Sequence, residues 1–580
     1  MKRCPACKRV ENDDALVFCR ADGTPLVSDS STLNTEAGTA RLTPEPATEI
    51  ETSILPHATN ADMSRPTGPT TVLDRQQTIS RTPEPGRPKR TNAIVFVAAT
   101  VLIIAIAVFA YFYFSRKNNA AIQSIAVLPF VNESGNADVE YLSDGMTESL
   151  IGSLSQIPKL NVKARSSVFR YKGKDTNAQT IGKELSVQAI LNGRVVQHGQ
   201  DLILYVELVD TATENVLWKQ TYNKTLTNLV ALQNDIARDV ADKLRVKLSG
   251  ADEQKLTKKY TENPEAYQLY LKGRFYWNKR TGEALKKSIE YFNQAIEKDP
   301  NYALPYAGLS DAYGILPGYG GDTPQQCFPK GEAAAKRAVE LDETLAEAHT
   351  ALARMLLNYE WNIPESNREF QRAIELNPTY ATAHHWYGNG SLLLTGRFDE
   401  AIAEMKRAQE LDPLSLIINA DLGDNYIYAR QYDQAVEQLR KTIEMDQSFY
   451  YAHYELGLAY ELKGLFQEAI AEYRRARQLN DDPLVLAYLA RTYAQSGRTD
   501  EALKSLDQLK EISKHRYVTA YGFALIYVAL SEKDEAFQWL EKAYTERSGW
   551  MTYLKVDPRL DPLRSDSRFV EFMRRVGLPQ

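Results

Sequence analysis

Five tetrads recur at a near-constant interval in the C-terminal half of the chain. They are FDEA at Phe398–Ala401, YDQA at Tyr432–Ala435, FQEA at Phe466–Ala469, TDEA at Thr499–Ala502 and KDEA at Lys533–Ala536. Their starts lie 34, 34, 33 and 34 residues apart. A fixed period of this length marks a stack of one supersecondary unit, each copy burying its apolar face only against its neighbours. Other positions keep the same register. A small residue falls at Gly388, Gly423, Gly457 and Ala490, preceded by Tyr387, Leu422, Leu456 and Leu489. An aromatic follows three residues later at Tyr426, Tyr460 and Tyr493. Small residues let two helices approach, and the large ones fill the space between them. Asp299–Pro300, Asn377–Pro378, Asp412–Pro413 and Asp482–Pro483 close units, because proline stops one helix and permits the next to start.

These phased features resemble the tetratricopeptide repeat, a pair of antiparallel helices per unit, over residues 260–550, with 551–580 as a C-terminal cap or tail. Leu316–Pro329 reads as a Gly/Pro-rich insertion. The resemblance implies a concave groove for a protein or peptide partner, lined by the first helix of each unit. Its exposed positions would be His385, Asn389, Asp424, Tyr451, Tyr454, Glu461 and Arg491. His349, His384 and His453 share one register, four residues before the small position, which assigns them to packing between helices.

Residues Ala93–Phe114 carry no charge over 22 positions, a length of about 33 Å as helix, enough to cross a bilayer. Arg75, Arg81, Arg87, Lys89 and Arg90 precede this segment and only Arg116 and Lys117 closely follow it. The positive-inside rule therefore places the N-terminus in the cytoplasm and residues after 114 outside the cytoplasmic membrane. Cysteine use agrees: Cys4, Cys7 and Cys19 fall on the reducing side, and Cys327 stands alone outside, as a packed thiol.

Residues 1–26 open with CPAC and continue to CRADGTPL. A CxxC turn presents two thiolates to one metal ion, and Cys19 and Asp22 complete a candidate zinc set with Cys4 and Cys7. The segment resembles short bacterial zinc-ribbon headers. Residues 27–92 hold 13 Thr, 8 Pro and no Phe, Tyr or Trp, a composition that cannot bury a core and reads as a disordered tether.

From 121 to 250 the pattern alternates strands and helices. Ile125–Phe130 and Leu160–Ala164 read as strands, and Ala189–Gln197 with Leu202–Asp210 as a hairpin. Val216–Lys219 is a further short strand. Met146–Ile157, Thr176–Leu185 and Leu229–Leu248 read as helices, the first capped by Ser143 or Asp144. SIAVLPF at Ser124–Phe130, YLSDGMTESL at Tyr141–Leu150, VKARSSVF at Val162–Phe169 and LNGRVV at Leu191–Val196 resemble the TolB-like domain of bacterial signalling proteins.

The fold class expected is thus multidomain: zinc knuckle, disordered linker, one transmembrane helix, an α/β TolB-like domain and an all-α tetratricopeptide superhelix. No phosphate-binding loop, nucleophile elbow or zinc-protease motif occurs, so the chain reads as a binding protein without an evident small-molecule substrate. Its net charge of −6 argues against general nucleic-acid binding, which uses a basic stripe. The function expected is a membrane-anchored scaffold for protein or peptide partners, a signalling or envelope-assembly adaptor. The alternative is a membrane-bound regulator whose cytoplasmic knuckle contacts nucleic acid or a regulatory protein.

Overall fold

The computed structural model describes residues 121–578, apart from 137–138, 247 and 320–321, and the backbone of three two-residue strands nearer the N-terminus. By its contacts the chain divides into Met1–Ala93 and Ile94–Gln580. In the first unit β1 (Lys2–Arg3), β2 (Val10–Glu11) and β3 (Val27–Ser28) pair antiparallel in the order β2-β1-β3. The expected ligands Cys4, Cys7, Cys19 and Asp22, the linker apart from Val27–Ser28, and the apolar segment Ala93–Phe114 lie outside the described residues. No helix among the described residues is long and apolar enough to cross a membrane.

The second unit begins with a mixed sheet of β4 (Ser124–Val127), β5 (Val131–Asn132), β6 (Asn161–Val162), β7 (Ala189–His198), β8 (Asp201–Asp210) and β9 (Val216–Thr225). Its order is β6-β4-β7-β8-β9, with β5 also on β7. β4 pairs parallel with β6 and β7, and the β7–β8–β9 meander is antiparallel. The hairpin expected from alternation is present. β9 runs to Thr225, beyond the expected Lys219, although most of its side chains are exposed. Its length comes from pairing with β8 rather than from a buried face, so hydrophobic alternation could not reveal it.

Helix Glu140–Ser155 begins six residues before the expected Met146. Ser143 and Asp144 are therefore buried inside it, and neither caps it. A Cβ on Gly145 would lie 2.9 Å from Cβ of Leu271. The glycine serves close packing against helix Pro264–Trp277, the first of the repeats. Ala266, Tyr267, Leu271 and Tyr302 belong to the same hydrophobic core as Leu142, Met146 and Leu150. The α/β domain and the first two repeats thus share one core.

Eight helix pairs follow among the described residues, from Pro264–Trp277 with Gly282–Lys298 to Ala520–Ala529 with Lys533–Thr545. The five tetrads open the second helices of the last five pairs. Their alanines, Ala401, Ala435, Ala469, Ala502 and Ala536, are fully buried. The expected insertion is more ordered than its composition suggests: Leu316–Tyr319 is a 3-10 turn, and helix Pro324–Leu341 tolerates Pro329. Cys327 is buried in it, and burial pushes its thiol up to about 11.

The histidine register has a polar reason as well as a packing one. Nδ1 of His349, His384 and His453 meets Glu369, Glu404 and Glu472 on the following helix at 2.5, 2.5 and 2.7 Å. Each Nε2 meets a carbonyl of the preceding turn, at Glu343, Pro378 and Gln447. In these three repeats an imidazole thus ties both helices to the turn before them.

The small register positions face the partner helix. A Cβ on Gly457 would lie 2.9 Å from the Tyr473 ring, which is fully buried. Gly457→Ala gains about 1 kcal/mol of helix propensity but overpacks this contact by roughly 1–3 kcal/mol. Denaturant unfolding should show net destabilisation, and a variant as stable as wild type would mean that the pair has slack.

Candidate functional site: the inner face of the repeats

The seven residues expected to line an open groove do lie on the inner helices, but they are not an exposed surface. His385, Asp424, Tyr454, Glu461 and Arg491 are buried, and Asn389 and Tyr451 are half-buried. They bond to one another or to adjacent repeats. His385 Nε2 meets Asp421 at 2.6 Å, and Asn425 donates to Asn389 at 2.7 Å. Glu461 pairs with Arg491 and accepts from Thr492 at 2.7 Å and Tyr473 at 3.1 Å. Tyr454 stacks edge-on with Tyr451 and lies 5.5 Å from the Tyr488 ring. Tyr454 is therefore a core residue between helices, contrary to the groove expectation. The register correctly identifies the inward face; what fills that face comes from far along the chain.

Part of the filling is the C-terminal segment. Asp557 and Arg559 are fully buried and paired at 2.8 Å. Tyr521 donates to Asp557 at 2.7 Å, and the Arg559 guanidinium lies 4.4 Å from the Tyr488 ring centre. Tyr553 packs on Tyr428, and Arg430 reaches Asp561 at 2.8 Å. The stack curls far enough for Trp361 of the third pair to meet Tyr544 and Arg547 of the eighth. Residues 551–563 are thus an internal plug, and helix Ser567–Arg575 caps the last pair, with Phe572 against Phe537 and Arg575 paired with Glu541.

The plug faces buried carboxylates. Burial, with Glu455 and Asp421 nearby, holds Asp424 well above the usual carboxylate range. Burial pushes Glu455 up to about 7, although Arg559 opposes the shift. A carboxyl raised in the folded state contributes stability that is full below its ordinary value of 4.5 and is lost as pH rises through about 7. Glu455→Gln should therefore gain on wild type by up to about 3 kcal/mol between about pH 4 and pH 8. Parallel pH-dependence of the two melting temperatures would refute this.

The α/β domain closes the other end of the inner face. The Ser166 and Ser167 hydroxyls both donate to Asp412, Ser167 at 2.5 Å, and Ser167 also accepts from the Leu414 amide. Lys163 donates to the Glu410 carbonyl at 2.7 Å, Arg170 to that of Met445 at 2.9 Å, and Thr379 to that of Ser155 at 2.7 Å. The VKARSSVF stretch is therefore a clasp onto the Asp412–Pro413 turn.

Between clasp and shared core lies a cavity of about 960 Å³, at the upper end of the roughly 300–1,000 Å³ usual for ligand pockets. Its wall includes Glu148, which accepts from Arg274 Nε at 2.7 Å and Asn278 at 2.9 Å and pairs with Arg165 at 3.1 Å. Burial opposes ionisation of Glu148, but the two arginines outweigh it and hold its carboxyl below the ordinary value. Of the expected groove residues, His385 and Asn389 reach this cavity. Arg274, Arg280 and Arg354 carried no sequence signal, and Arg165 stood out only as part of VKARSSVF, because the four come together only in three dimensions.

Comparisons with known proteins agree with the repeats and rename the α/β domain. Residues 362–415, 420–483 and 462–520 match tetratricopeptide repeats. This part of the chain is a tetratricopeptide array. Residues 121–239 match the second domain of HilA/YgeH-like transcriptional regulators, rather than the TolB-like family expected. "Putative adenylate cyclase 3" of Rhizobium meliloti (strain 1021) is 31% identical over 235 residues, 40% of each protein. The chain thus spans less than half of that relative. Among solved structures, MamA is 24% identical over 27% of this chain and 90% of its own, with a TM-score of 0.24. PilF of Pseudomonas aeruginosa is 21% identical over 36% and 94%, with a TM-score of 0.28. Neither overlap bears on function.

Proposed function

We propose that this chain is a single-pass, membrane-anchored tetratricopeptide scaffold. Its α/β domain and repeats lie outside the cytoplasmic membrane and bind a protein partner. Since the inner face of the repeats is filled by the chain itself, the partner docks elsewhere. The observation that carries this reading is the edge of β9. Ten residues long, it pairs only with β8 among the described residues, and Val216 and Leu217 are 50% and 44% exposed. An unpaired edge of this length is a template for an extended segment of another chain.

A membrane-impermeant maleimide bearing a photocrosslinker, applied to intact cells, should label Leu217→Cys and join it to one protein. Cys4, Cys7 and Cys19 would be shielded in the cytoplasm, and Cys327 is buried. Val216→Lys, added to that variant, should abolish the adduct without changing the melting temperature. Equal crosslinking from Leu503→Cys, on an exposed repeat position, would sink the assignment.

A second reading is supported by the match of residues 121–239 to a domain of transcriptional regulators. In it the N-terminal segment is the output, a zinc knuckle on Cys4, Cys7, Cys19 and Asp22 that contacts nucleic acid or a regulatory protein. The purified full chain should then hold about one zinc, lost in Cys7→Ser and weakened in Asp22→Ala. Metal analysis finding no zinc in wild type would remove this reading.

A further inference from the structure

The cavity wall mixes guanidinium groups with carboxyls: Arg165, Arg274, Arg280 and Arg354 share it with Glu148, Asp311, Glu347, Asp412 and Asp421. Arg274, Arg280 and Arg354 all act on the one carboxyl of Asp311, of which only Arg274 comes within ion-pair range, at 3.8 Å. The Arg280 side chain has no hydrogen bond or ion pair among the described residues; its guanidinium lies over Trp277, 3.5 Å from the ring centre. Arg354 lies 4.4 Å over Trp386 and donates only from Nη2, to the Gly314 carbonyl at 3.2 Å. Its Nη1 is buried without a partner, as is the Trp277 indole N–H. The Glu148, Asp412 and Asp421 carboxyls on the same wall are engaged by Arg274 and Arg165, by Ser166 and Ser167, and by His385, and none of them bonds to Arg280 or Arg354. Burial, and the proximity of Arg354 and Arg274, pull the Arg280 guanidinium down to about 10. Arg280 and Arg354 are half-buried, and like charges drawn together in a cavity favour a compensating anion. A guanidinium whose face rests on an indole keeps its N–H edge free for an oxyanion.

We propose that this cavity is a binding site for a small organic anion, whose carboxylate or phosphate group is held by Arg280 and Arg354. The body of the ligand lies against the aromatic wall formed by Tyr270, Tyr302 and Tyr380. The site joins the α/β domain to the repeats, so an occupied cavity bridges the two. This inference does not depend on the β9 docking surface, which lies on the opposite edge of the sheet from β6 and the clasp.

The test is titration of the full chain, purified in detergent, with benzoate, phenyl phosphate and inorganic phosphate at constant ionic strength. Tryptophan fluorescence and melting temperature are read, because Trp277 and Trp386 line the cavity. Benzoate or phenyl phosphate should give a saturable change with one site per chain, and whichever binds identifies the oxyanion. Arg280→Met with Arg354→Met should weaken it about tenfold or more, the loss expected for charged hydrogen bonds. Arg280→Lys, which keeps the charge and gives up only the guanidinium contact with the Trp277 ring, gives the same reading if the double variant does not fold. No saturable change below about 10 mM would overturn the proposal. So would undiminished binding by a folded variant, or inorganic phosphate binding as tightly as phenyl phosphate.

Discussion

Buried ionisable groups crowd the inner face of the repeats, and the partners that several of them take from distant parts of the chain organise the molecule. Asp421, Asp424, Glu455 and Glu461 sit on inner helices, Asp412 sits in the turn that leads into one, and all are nearly inaccessible to water. An unpaired charge there would cost several kcal/mol. The partners come from distant parts of the chain: Ser166 and Ser167 for Asp412, His385 for Asp421, Arg491 for Glu461. Arg559, paired with Asp557, supplies the positive charge nearest Glu455 and Asp424. Removing the C-terminal segment would strip that charge and expose the tyrosines it covers, so the plug and the repeats form one cooperative structure.

The same partnering explains why this array is not an open groove. The α/β domain is joined to the first repeats by a shared apolar core and to the Asp412 turn by a polar clasp. These two attachments span the mouth of the inner face and leave the cavity between them. The binding proposed along β9 and that proposed within the cavity would therefore engage different chemistry: backbone hydrogen bonding with a few apolar side chains in one place, guanidinium groups on indole rings in the other.

What could be read in the linear chain was whatever repeats or alternates. The tetrads and small positions recur at the repeat period and the histidine register in three units, so helix pairing, helix starts and the inward face followed directly from spacing. The β7–β8 hairpin followed from alternation. Features without periodicity were misread or missed. Ser143 and Asp144 look like a helix cap, but Leu271, more than a hundred positions away, packs against Gly145 and the helix extends through them. β9 looks short because its side chains stay in water.

The sequence by itself therefore determined the architecture of the unit: two helices, their turn, and which side faces inward, because local sterics and the apolar period decide these. Only the tertiary structure decided what that inward side meets. His385, Tyr454, Glu461 and Arg491 have the composition of a binding surface, and a polar residue on an inner face has the same signature whether its partner is another protein or the same chain. The cavity arginines follow the same rule. Arg165, Arg274, Arg280 and Arg354 come from three separate elements and their neighbouring turns. Their juxtaposition depends on the curvature of the stack and the seating of the α/β domain, which are set by the sum of many long-range contacts rather than by any local pattern.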